Sequence, residues 1–149
     1  MSQIYVHYGN QEFHPKLFLP IRNRNSFSKP HGGLWASRDD AAYGWRDWCR
    51  DNDYGTIVEE NSFRFMVSDT ANILYLKTEN DLRNLPLQGD SIPAYQWYYP
   101  DFERLLADGV DAVEVVDIDQ LYYPLYGWDC DSIVVMNPEI IIPLMEVAN

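Results

Sequence analysis

The apolar positions fall into short runs separated by turn residues. Ile4-Tyr5-Val6-His7-Tyr8 is rich in β-formers and closes on Gly9-Asn10, which predicts a first strand presenting His7 or Tyr8 at its end. Gln11 to Pro30 is polar and broken by Pro15, Pro20 and Pro30, so a loop with a short turn of helix is expected. Gly32-Gly33 then frees the backbone for a close approach, and Leu34-Trp35-Ala36 predicts a short strand. Ser37-Arg38-Asp39-Asp40 has the pattern of a capping box opening a helix from Asp39 to Asp51. Its apolar face would be Ala42, Trp45, Trp48 and Cys49, packed on a sheet.

Phe63 to Val67 and Ile73 to Leu76 read as strands, and Thr78 as the cap of a helix from Glu79 to Leu85 stopped by Pro86. Pro86 to Pro100 is an aromatic-rich loop, after which Pro100 opens a helix that Gly109 ends. Ala112 to Val116 and Ser132 to Met136 are further strands, the second apolar throughout and therefore expected near the centre of the sheet. The irregular order of elements favours an α+β fold, and 149 residues suit one domain spanning the chain.

Charge narrows the partners. Lys and Arg number 11 against 23 Asp and Glu, a net charge of -12. That field opposes nonspecific binding to nucleic acid or to an anionic membrane, and suits either a protein that avoids self-association or, less simply, a nucleic-acid mimic. Arg22, Arg24 and Lys29 form the main positive concentration along the chain. Cys49 and Cys130 belong to no metal or redox spacing and read as reduced thiols of a cytoplasmic protein. The first residues lack the layout of a signal peptide, and no apolar run approaches the roughly 20 residues of a membrane helix. Aromatics make up 15% of the chain, first as core and second as flat faces for stacking rings.

Phosphate-loop, dinucleotide-fingerprint, nucleophile-elbow and zinc-helix motifs do not occur. The histidines at 7, 14 and 31 have no metal-ligand spacing, so no metal site is expected. What stands out is an order of three segments: His7-Tyr8-Gly9-Asn10, the Gly32 to Ser37 strand, and Asp111-Ala112-Val113 leading to Ser132-Ile133-Val134-Val135-Met136-Asn137-Pro138. In this order the chain resembles the ADP-ribosyltransferase superfamily, and the matching pieces cover about a third of it.

That resemblance implies a split, mostly antiparallel sheet gripping NAD, here a substrate. It implies cofactor contacts from His7 or Tyr8, Gly9, Gly33, Leu34, Trp35 and Ser37, with Trp45 as a second stacking ring. It also implies transfer of ADP-ribose to a protein or nucleic acid acceptor, a habit of small toxins and defence inhibitors of bacteria and phages. Two departures matter. Tyr8, not His7, precedes Gly9, and the two point to opposite sheet faces. Ser132 stands where the superfamily has its glutamate, with Asp131 one residue away as the nearest acid.

Two other readings follow from the residues. One is a noncatalytic nucleotide- or protein-binding module with a degenerate cleft, acting as an acidic inhibitor. The other is a small hydrolase holding a divalent ion on Asp129 and Asp131.

Overall fold

A computed structural model describes residues 3–52, 61–95, 97–121, 123–125 and 127–144. Expectations for the Tyr54-Gly55 turn and for Glu59 and Glu60 as surface acids lie outside the described residues.

Seven strands form one open sheet: β1 (Tyr5–Tyr8), β2 (Leu34–Arg38), β3 (Ser62–Val67), β4 (Ile73–Leu76), β5 (Ala112–Val115), β6 (Ser132–Val135) and β7 (Ile141–Pro143). Their order is β4-β5-β6-β2-β1-β3-β7, antiparallel except for the β4–β5 pair. Three helices, α1 (Trp45–Asp51), α2 (Glu79–Arg83) and α3 (Phe102–Ala107), complete the described regular structure with short 3-10 turns. This is the expected α+β class with a mostly antiparallel sheet. No described helix is long and apolar enough to cross a membrane.

Both faces of the sheet are covered. On one, Val113, Val115 and Val134 pack with Leu76, Phe102, Leu121, Leu125 and Trp128. On the other, Ala36, Ala112, Ile133 and Val135 pack with Tyr5, Phe63, Phe65 and Ile140. Burial on both sides explains why β6 is apolar throughout, and it lies between β5 and β2 as its sequence implies.

A buried carboxylate interrupts this packing. Glu114, only 2% exposed, accepts hydrogen bonds from the Tyr5 hydroxyl at 2.9 Å and from Arg38 at 2.8 and 3.0 Å. The carboxylate holds the Arg38 guanidinium firmly protonated, while burial first and Glu114 second push the Tyr5 phenol well above its ordinary range.

The same pair explains a correction to the expected helix start. β2 does not end at Ala36 but runs through Ser37 and Arg38, registered on Val6 and Tyr5 of β1. The helix therefore begins at Trp45, where Asp47 accepts the Gly44 N–H at 2.9 Å. The N-cap is Gly44 rather than the expected Ser37, which contributes from β2: its Oγ accepts the Trp45 N–H at 2.9 Å. Ala42 lies ahead of the helix and is exposed.

Pro100 precedes rather than opens α3, because Asp101 is the cap and accepts the Arg104 N–H at 3.0 Å. Gly109 follows α3 at φ 96°, the left-handed conformation common after helix ends.

Candidate functional site

Most of the expected cofactor-contact residues lie along the seam between β1 and β2, while Asp131 and Ser132 lie apart from it. The two strands are registered at Tyr5–Arg38 and Val6–Ser37, while the first half of β2 pairs with β6 from Leu34 to Ala36. Where backbone register with β1 ends, a side chain takes over. His7 Nδ1 donates to the Trp35 carbonyl at 2.6 Å, leaving Nε2 to accept from Asn10 at 3.4 Å. Burial lowers the His7 pKa, which agrees with the neutral ring that this network requires.

The remaining residues fall on two sides. His7, Gly33 and Leu34 border a concavity of about 160 Å³ with Phe13, Phe18 and Phe63. Tyr8, Ser37 and Trp45 border another of about 210 Å³. Gly9 sits at the end of β1 with φ 118° and donates to the Asn61 carbonyl at 2.8 Å.

The close approach expected at the glycines is made by the chain itself. Gly33 has φ 72° and donates to the Leu19 carbonyl at 2.8 Å, and a Cβ there would fall 2.7 Å from Val134 Cγ2. Trp35 is likewise committed: its Nε1 donates to Gly32 O at 3.1 Å, and its ring meets Trp128 edge-on at 4.9 Å. The ammonium of Lys29 lies over the Trp35 ring at 4.6 Å and over the Trp45 ring at 4.8 Å.

Ser132 rather than Asp131 shares the sheet face of Trp35, since Trp35 is registered on Val134, two residues along β6. Ser132 is 3% exposed, and its hydroxyl donates to the Cys130 carbonyl at 3.0 Å. The Asp131 carboxylate accepts the Ile118 N–H at 2.7 Å and borders a third concavity with Arg38, Asp40, Glu114 and Asp117. Its main chain ties the seam to the helix, accepting the Ser37 hydroxyl at 2.8 Å and donating to Tyr43 O at 2.8 Å. Burial outweighs the N–H bond and raises the Asp131 carboxyl pKa. Among the described residues no group of three or more His, Cys, Asp or Glu could hold a metal ion.

Sequence reading missed the arginines. Arg38, Arg46, Arg50 and Arg64 all line the concavity of Tyr8, Ser37 and Trp45, four of the 11 basic residues of the chain. Arg46 and Arg50 are one helical turn apart on α1, a spacing visible in the sequence, while Arg64 is brought to them by its register with Val6. Asp39 and Asp47 are the acids of the described lining. Asp47 is engaged with the Gly44 N–H and with Arg50 at 3.5 Å.

No protein-family model matches the sequence, and no curated protein and no solved structure matches the chain.

Proposed function

We propose that the chain is a nucleotide-binding module without turnover, its ligand held in the concavity of Tyr8, Ser37, Trp45, Arg46, Arg50 and Arg64. The carrying observation is that Arg46, Arg50 and Arg64 converge there, beside Arg38 whose guanidinium is bound to Glu114, in a chain of net charge -12. A local cationic focus inside an acidic field concentrates a phosphate while the rest of the surface turns polyanions away. Guanidinium groups match phosphate oxygens in planar, paired fashion, and Tyr8 and Trp45 supply ring faces for a base or sugar. A volume of about 210 Å³ is below the roughly 300–1,000 Å³ of pockets that bury whole drug-sized ligands, and suits part of a nucleotide.

Turnover would need a carboxylate where positive charge develops on a ribose. Asp131 borders a different concavity, and the Ser132 hydroxyl is buried and already donated. The module reading, including a role as an acidic inhibitor, asks for neither.

The transferase reading keeps one observation of its own, the divergence of β1 and β2 past Val6 and Ser37. An ADP-ribosyltransferase-like fold would seat NAD in such a split, with Asp131 as the acid acting on a protein or nucleic acid acceptor. Calorimetric titration with ADP-ribose and with NAD, beside a nicotinamide-release assay, separates the two. Micromolar ADP-ribose binding without nicotinamide release supports the module. Release that Asp131→Asn abolishes, in a variant that stays folded, overturns it.

A further inference from the structure

We infer that Lys29 stands in the place of a cationic ring between Trp35 and Trp45, so that the adjoining concavity takes nucleoside phosphates lacking a ring cation and turns away pyridinium dinucleotides. This rests on the nucleotide reading of the concavity, to which Trp45 is the link, since it lines that concavity and also faces Lys29.

The Lys29 ammonium lies 4.6 Å from the Trp35 ring centre and 4.8 Å from that of Trp45. Both distances fall inside the roughly 6 Å within which an indole face attracts a cation. The ammonium is not carried on a loose tail. Arg22 and His31 pair through both backbone hydrogen bonds, at 2.9 and 2.8 Å, closing the segment that bears Lys29. Next to it, the Ser28 hydroxyl donates to Tyr98 O at 2.6 Å and Trp128 Nε1 donates to Ser28 O at 2.8 Å. The backbone at Ser28, next to Lys29, is thereby held by both bonds.

Desolvation lowers the Lys29 pKa, with the nearby Asp129 carboxylate opposing it. Trp45 Nε1 is buried without a hydrogen-bond partner among the described residues. Two cations cannot share the two ring faces, so a ligand with a positively charged ring must first displace Lys29. A nucleoside phosphate without one need not.

Lys29→Met removes the charge and keeps most of the aliphatic length, and Lys29→Gln serves if the first variant fails to fold. Titrated by calorimetry, wild type binds ADP-ribose about tenfold more tightly than NAD, the difference expected from losing one desolvated cation–π contact. In the variant this gap closes because NAD binding strengthens, while ADP-ribose binding is unchanged. A gap of the same size in a folded variant overturns the inference, as does wild-type binding of NAD equal to that of ADP-ribose. The 1-methylnicotinamide cation, methylated on the ring nitrogen and without phosphate, probes the slot apart from the arginines. Saturable quenching of indole fluorescence in Lys29→Met but not in wild type supports the slot, and its absence in the variant overturns it. Failure of ADP-ribose to bind any form overturns the nucleotide reading instead.

Discussion

The two sides of the β1–β2 seam are built from the same pair of strands and carry opposite chemistry. On the His7 side the concavity is framed by Phe13, Phe18, Leu34 and Phe63, and His7 spends its Nδ1–H on the Trp35 carbonyl. On the Tyr8 side, one residue along, the wall is arginine and indole. The difference comes from strand alternation, which turns neighbours to opposite faces, and from what lies across each face: a loop rich in Phe and Leu on one, α1 on the other. A seam held by side chains on one side can present ligand-binding groups on the other.

Breaking the support beneath both sides has the largest effect. Glu114→Ala leaves the Arg38 guanidinium and the buried Tyr5 hydroxyl without their acceptor. Removing one partner of a buried pair costs about 3–5 kcal/mol, and Arg38, a third exposed, places this case near 3 kcal/mol. Urea unfolding measures it, and a loss under about 1 kcal/mol would show that the pair does not hold the seam.

Ser37→Ala acts on the arginine side more selectively. It removes the acceptor of the Trp45 N–H and the donor to the Asp131 carbonyl, for a loss of about 1–2 kcal/mol. Because it frees the start of α1, ADP-ribose affinity falls with it, whereas His7→Gln leaves that affinity unchanged. Equal effects of the two on binding would erase the distinction between the sides.

The smallest effect is a pH dependence on the His7 side. Burial lowers the His7 pKa below its ordinary 6.5, so the unfolded chain takes up a proton that the folded chain resists. Stability therefore falls as pH drops below about 6.5, levels off beneath the folded value, and is fully retained above 6.5. His7→Gln removes that slope from unfolding curves taken across the window. A slope that survives the substitution belongs to another group.

Strands were legible where burial leaves one reading, as in the unbroken apolar run of β6 and the aromatic alternation of Phe63 and Phe65. The start of α1 was not, because the fate of Ser37 depends on Val6 and Glu114, residues distant in sequence that draw β2 two residues further than its own pattern implies. β7 escaped notice because Ile141-Ile142-Pro143 is short and becomes a strand only through its register on β3. The candidate site was half visible. Tyr8, Ser37 and Trp45 were named from their segments, but the arginines around them come from β2, α1 and β3 and meet only in the fold. Glu114 carried a signal of its own, a single acid inside an otherwise apolar strand, which marks a buried charge in need of a partner.

The central claim is that the arginine side of the seam, and not the His7 side, receives a nucleoside phosphate. A ¹H–¹⁵N correlation titration with ADP-ribose tests it most directly. Saturable shifts in the amides of Tyr8, Ser37, Trp45 and Arg46 and in the Trp45 indole are predicted, lost in Arg46→Ala/Arg64→Ala, with the amides of Phe13, Phe18 and Leu34 unmoved. Shifts centred on Phe13, Phe18 and Leu34, or shifts that persist in the double variant, would contradict it.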